Sequence, residues 1–404
     1  MFANSHKRGQ VYSDVIFKNL GEAKKRAAEI GEEKVINGTI GALLDDNGIL
    51  VTFPSVDRLI PGLDMKRVSA YSPQQGFPDF LETIQYFCFQ EYFPSTPVSA
   101  VAVAGGMGGI RHAIINYTEI GDAIIVPDWY WAPYKGIAED NYRKITTFPL
   151  FKDNKYLNIE GFKEKVEEVG KKQDNIFIML DSPANNPTGY SLSLDEWDDV
   201  IAYLNTVDRP IIFFLDVAYM DFADKKNKQV FQKLDHLNDN VFAIIDYTIS
   251  KSLSKYGLRT AALIGIHNDQ KVHDEFQNII AISNRGTHGS VNSLGQLLVI
   301  ELYKNKEALA SYYNEFNHWK TVLRKRSEAF MNHINKEVAT PYRDGFFVSI
   351  RCDNANPEEE VEKLKKENIF LIPLPKGIRV AICSIKEDRL PIVANVINRV
   401  VSNS

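Results

Sequence analysis

No apolar run approaches the roughly 18 residues that a membrane-spanning helix needs, so no span is expected. Cysteine is scarce. Cys88, Cys352 and Cys383 lie far apart, with neither the spacing of a metal site nor the density of a disulfide framework. That usage points to a reducing, cytoplasmic setting and to no bound metal. Charge of one sign is lacking too: 47 Lys and Arg stand against 52 Asp and Glu, a net charge of -5. Such a balance offers no electrostatic footprint for nucleic acid or an anionic membrane. MFANSHKRGQ at the N-terminus is charged but has no apolar segment behind it, so no secretion signal is expected. Internal repeats, low-complexity linkers and heptad arrays are missing as well. What is present is an ordinary soluble composition, 44% apolar and 25% charged, in 404 residues. That length suits one large domain and a smaller one, with small-molecule chemistry as the default expectation.

Between residues 98 and 290, short apolar runs alternate with amphipathic stretches. VSAVAVAG, DAIIVP, NIFIMLDSP, PIIFFLD, VFAIIDY and TAALIGI have strand length and near-continuous hydrophobicity, as strands covered on both faces should. Segments such as SLDEWDDVIAYLN have helical apolar spacing and an acidic first turn. The alternation predicts an α/β domain with a mainly parallel sheet flanked by helices. From about Leu294 a long helical pattern takes over, followed by GFFVSIRCDN, PEEEVEKLKKEN and IRVAICSI, which read as a smaller α+β domain. The expected division is 61–304 for the large domain and 305–404 for the smaller one, with 1–60 folding back onto the latter.

The chemistry-bearing residues cluster at the ends of these runs. In TISKSLSKYGLRTAALIG, hydroxyl residues surround a lysine and an arginine follows eight positions later. A lysine whose charged form is disfavoured can form a Schiff base. Arg259 can clamp a phosphate through paired hydrogen bonds, with Thr248 and Ser250 adding hydroxyls. Ser-Lys pairs alone are common, and a solvated loop is the commoner reading of one. DSPANNPTG (181–189) and LDVAY (215–219) place polar side chains at strand ends, the edge where ligands bind in open α/β sheets. Asp216 suits a protonated pyridine nitrogen, and Asn186 and Tyr219 suit a ring hydroxyl. A plain turn and a helix cap are the alternatives for these motifs. VAVAGGMGGIRHAI reads as a strand, a glycine-rich turn and a helix start, with Gly106, Met107 and Gly108 able to cradle a phosphate. PDWYWAPYK crowds aromatic rings where a flat cofactor could stack.

In this order the motifs resemble the fold-type I pyridoxal-phosphate enzymes, specifically the class I/II aminotransferases related to aspartate and aromatic aminotransferases, over nearly the whole chain. The resemblance implies a seven-stranded sheet in the large domain and pyridoxal 5'-phosphate as cofactor. It selects Lys251 as the cofactor lysine, because only Lys251 keeps the eight-residue spacing to Arg259; Lys255 does not. It assigns Asn186, Asp216 and Tyr219 to the cofactor ring and favours Trp131 over Trp129 as the stacking aromatic. It also implies that Tyr71, in AYSPQQG, reaches the phosphate of a neighbouring subunit in a homodimer, that backbone near Gly41 borders the substrate, and that Arg379 grips the α-carboxylate. Two departures stand out. The phosphate turn carries no hydroxyl side chain, and the position of the arginine that dicarboxylate-specific relatives use is Ile279. A distal carboxylate would lack a partner there. The implied function is transfer of an amino group from an apolar or aromatic L-amino acid to a 2-keto acid by a ping-pong mechanism. A carbon-sulfur lyase on the same scaffold is the alternative.

Overall fold

The computed structural model describes residues 14–401, together with 2 and 7–9. The expectation drawn from the N-terminal decapeptide falls mostly on residues outside that range. The described residues form two compact units. The first comprises 51–324 and 340–346, the second 325–339, 347–401 and the described residues up to 50.

The first unit is built on a seven-stranded sheet of β1 (Val98–Val103), β2 (Ala123–Pro127), β3 (Lys144–Phe148), β4 (Ile176–Asp181), β5 (Ile211–Asp216), β6 (Val241–Thr248) and β7 (Ala261–Ile266). Its spatial order is β1-β7-β6-β5-β4-β2-β3. Strands β2 to β6 pair in parallel, and β7 runs antiparallel to both its neighbours. Every residue of β4, β5, β6 and β7 is buried, which is why their sequences are nearly unbroken runs of Ile, Phe, Val and Leu. Edge strand β3, KITTF, is exposed at two of its five positions.

Helices α1 (Pro78–Phe89), α2 (Gly105–Tyr117), α3 (Pro133–Asp140), α4 (Ile159–Gly170), α5 (Leu194–Leu204), α6 (Gln270–Thr287), α7 (Ser293–Lys304) and α8 (Lys306–Met331) surround this sheet in sequence. One apolar core lies against it, in which Ile110, Ala113 and Ile114 of α2 and Phe276 and Ile280 of α6 pack on Val101, Val103, Ile244 and Leu263. The acidic start of α5 is a complete capping box: the Ser193 hydroxyl accepts from the Glu196 N-H, and the Glu196 carboxylate accepts from the Ser193 N-H. The chain leaves the first unit inside α8, between Arg324 and Lys325. Residues 51–60, 305–324 and 340–346, expected with the smaller domain, thus cluster with the first unit.

The second unit holds β8 (Phe347–Arg351), β9 (Ile372–Leu374) and β10 (Gly377–Ala381) as an antiparallel sheet in the order β8-β10-β9. Ile36–Asn37 pairs in parallel with Ile369–Phe370. The helix Val15–Ile30, α9 (Pro357–Lys366) and α10 (Leu390–Val401) complete it. In α9, Glu358, Glu359 and Glu360 open the helix and Lys363, Lys365 and Lys366 close it, complementing the helix dipole. Among the described residues no helix is long and apolar enough to cross a membrane.

Candidate active site

Lys251 sits in the short helix Ile249–Ser252, directly after β6. Thr248 caps that helix by accepting from the Ser250 N-H, and its hydroxyl donates to Ser250 Oγ at 2.9 Å. The Tyr312 hydroxyl anchors the far end by donating to the Ser252 carbonyl at 2.9 Å. Lys251 Nζ lies 4.7 Å from the centre of the Tyr256 ring and 5.6 Å from that of Tyr219. Lys255, the competing lysine, is instead held in an ion pair with Asp57.

Arg259 follows in the left-handed conformation (φ 49°), which turns the chain back into β7. Its Nη1 donates to the Tyr256 carbonyl at 2.9 Å and approaches Ser250 Oγ at 3.4 Å. Arg259 is exposed as a residue, and its guanidinium lies against Gly105, where a Cβ would collide with it. Gly105 begins α2, so Gly106, Met107 and Gly108 form the first helical turn, where backbone N-H groups lack intrahelical partners. Thr248, Ser250, Arg259 and this turn make a basic, donor-rich corner suited to a phosphate.

Asp216 ends β5 and is buried. Its Oδ2 accepts from the Tyr134 hydroxyl at 2.6 Å and its Oδ1 from the Ala218 N-H at 3.1 Å. Burial pushes this carboxyl up, while Tyr134, Ala218 and the Lys251 ammonium draw it back down. Tyr219 is buried, with its ring 5.1 Å from that of Phe346. Asn186 is buried after β4, and its N-H donates to Asp181 Oδ2 at 2.8 Å. The following turn is closed by Thr188, whose hydroxyl donates to Asn185 Oδ1. Trp131 is half-buried and meets Tyr134 edge-on at 5.5 Å, whereas Trp129 is buried and accepts at its carbonyl from Asn185.

The other sequence-derived candidates make the following contacts. Tyr71 is 88% exposed and touches none of these groups in a single chain. Arg379 and Gly41 belong to the second unit, where both pack on Phe347. The Arg379 guanidinium lies 4.5 Å from the centre of that ring and donates to the Thr39 carbonyl at 2.7 Å. Ile279 is half-buried on α6 against the apolar core, and brings no charge.

Three residues escaped the sequence reading. Tyr134 is only one ring among several in PDWYWAPYK, yet it bonds Asp216 directly. Asp181 and Asp246 flank Asp216 in register on β4 and β6. The recurrent apolar-Asp endings LD, LD and ID were the available signal. The described residues contain no group of three His, Cys, Asp or Glu side chains arranged to hold a metal ion. An amine, a hydrogen-bonded carboxylate and a glycine-lined basic corner together fit a flat, phosphate-bearing aldehyde cofactor such as pyridoxal phosphate.

Comparisons with known proteins agree. Residues 33–397 match the family model for aminotransferase class I and II. An aromatic-amino-acid aminotransferase from Paracoccus denitrificans is 23% identical, with 83% of this chain and 84% of that protein covered. The mitochondrial aspartate aminotransferase of Schizosaccharomyces pombe is also 23% identical, over 99% and 93%. Among solved structures, an aminotransferase from Anaerococcus prevotii superposes with a TM-score of 0.94 at 35% identity, covering 99% of each chain. An aromatic-amino-acid aminotransferase from Burkholderia pseudomallei, solved covalently bound to pyridoxal phosphate, shares the fold at a TM-score of 0.79 and 18% identity, covering 99% of this chain and all of that one. A family match across nine-tenths of the sequence, on a sheet whose strand ends gather these groups, means that the chain belongs to the class I and II aminotransferases.

Proposed function

We propose that this aminotransferase uses pyridoxal 5'-phosphate, bound covalently through Lys251, to move an amino group from an apolar or aromatic L-amino acid to a 2-keto acid in two half-reactions. The observation that carries this reading is the placement of Lys251 between the Tyr219 and Tyr256 rings, while Lys255 is tied to Asp57. The cofactor supplies a carbonyl carbon for the amine and a ring able to accept the electrons of a carbanion. Asp216 holds the proton on the ring nitrogen, and Tyr134 and Ala218 fix its carboxylate for that task. Asn186 and Tyr219 would bind the ring hydroxyl, and Trp131 would stack on the ring. Thr248, Ser250, Arg259 and the N-H groups of Gly106, Met107 and Gly108 hold the phosphate. Lys251 Nζ, freed by the substrate amine, would take the α-proton as general base and deliver it as general acid to the carbon that carried the cofactor's aldehyde. Arg379 pairs with the α-carboxylate, and the backbone at Gly41 borders the substrate.

The donor preference rests on Ile279, which cannot pair with a second carboxylate. The exposure of Tyr71 fits a residue whose partner sits on a second copy of the chain, and we infer a homodimer. The three buried, free cysteines fit a cytoplasmic enzyme. A screen of amino donors in single half-reactions, followed by loss of the bound-cofactor absorbance, tests the proposal. Phenylalanine, tyrosine, leucine and methionine are expected to outperform aspartate. Lys251→Ala is expected to lose the covalent cofactor and about a thousandfold or more in rate. Aspartate as best donor overturns the side-chain preference. A fully active Lys251→Ala overturns the assignment of the lysine, and ammonia release without a keto-acid acceptor favours the lyase.

A further inference from the structure

Asp181, Asp216 and Asp246 are register partners on the adjacent parallel strands β4, β5 and β6. Register partners share a face, about 4.8 Å apart from strand to strand. All three are buried, at 6%, 7% and 1% exposure. Only Asp216 has both oxygens engaged, by Tyr134 and Ala218. Asp181 uses Oδ2 for the Asn186 N-H, but Oδ1 has no hydrogen-bond partner, and neither oxygen of Asp246 has one. Asp246 lies beneath the start of α2, where a Cβ on Gly106 would come within 3.1 Å of its Oδ2 and one on Gly109 within 3.0 Å of its Oδ1. The glycines of that turn therefore accommodate this carboxyl as well as Arg259.

The titratable groups facing the row are Tyr134 from α3, Lys251 after β6 and Arg259 before β7. From α2, Gly106 and Gly109 lie against Asp246. One nearby ammonium and one guanidinium do not balance three adjacent carboxylates. Like charges this close cannot all persist away from water. Burial and the Asp216 charge push Asp181 and Asp246 far above the ordinary carboxylate range.

We propose that the row carries a single negative charge, on Asp216, and that Asp181 and Asp246 are neutral positioning acids. Asp181 orients the Asn186 segment through its N-H, and Asp246 supports α2 from below without repelling a phosphate at the same corner. This rests on reading Asp216 as the partner of the ring nitrogen. Failure of that reading would appear separately, as an Asp216→Asn variant with undiminished transamination.

Infrared spectroscopy of holoenzyme carrying carboxyl-labelled aspartate tests the row. Protonated aspartic acid bands are expected at neutral pH, one lost in Asp181→Asn and another in Asp246→Asn. Stability gives a second reading. An acid kept neutral by folding binds more protons folded than unfolded between its ordinary and its raised titration points, so its stabilisation falls as pH rises across that window. Asparagine removes the penalty. The melting temperature of each variant should therefore exceed that of the wild type at neutral pH, by a margin that closes toward acid. Above the titration point of Asp246, wild-type cofactor affinity should fall by up to about tenfold per pH unit, and Asp246→Asn should lack that component. Absence of labelled acid bands from the wild type overturns the proposal even if neither variant folds. So does a variant less stable than wild type by a margin that widens with pH.

Discussion

The Tyr134 hydroxyl is the donor on which the charge of Asp216 most depends, since the other contact is a longer backbone bond. A hydrogen bond to a buried charged group contributes about 1.5–3 kcal/mol. Tyr134→Phe keeps the ring and its packing against Trp131, but removes that donor and lets burial raise Asp216 further. Cofactor titration of this variant is expected to show about ten- to a hundredfold weaker binding, with a lower melting temperature of the cofactor-free protein as well. At this scale the sequence was informative about identity and less so about partnership. Lys251, Arg259, Asp216 and Asn186 stand in motifs whose spacing is readable. Tyr134 is 82 positions from Asp216, and Asp246 is 30 from it. Such contacts arise from sheet order and register, which local text does not state.

Among the elements, α2 shows most directly how backbone shape serves the site. Gly105 has φ of +73° and stands against Arg259; Gly106 and Gly109 stand against Asp246. Gly105→Ala combines an unfavourable left-handed residue with a displaced guanidinium, and is expected to cost about 1–3 kcal/mol in thermal or denaturant unfolding. Its loss of phosphate affinity should exceed that of Gly136→Ala, a position open to space within α3. Strand runs were legible because six of the seven strands are buried. The seventh, β3, lies at the sheet edge, and its KITTF pattern lacks the apolar continuity that marks the others. The smaller β8–β10 sheet was visible in FVSIR and IRVAI for the same reason: all but one of their residues in the strands are buried.

For the whole molecule, a ligand that binds only the folded state stabilises it by an amount that grows with concentration over Kd, and local openings that break its site are opposed directly. Loading with pyridoxal phosphate is expected to slow amide hydrogen exchange most in residues 248–259 and the first turn of α2, both in the first unit. A uniform change over both units would speak against the assigned corner. The division of the chain was only coarsely legible, because α8 is one unbroken helix whose sequence carries no mark at Arg324, where its contacts change allegiance.

The antiparallel course of β7 has a consequence for evolution and engineering. Because β6 ends and β7 begins at the same sheet edge, Lys251 and Arg259, the proposed covalent and ionic anchors, are joined by a short return instead of a crossover helix. An insertion into that return would change the distance between both grips at once. The Lys251–Arg259 segment is therefore transplantable only as a single cassette.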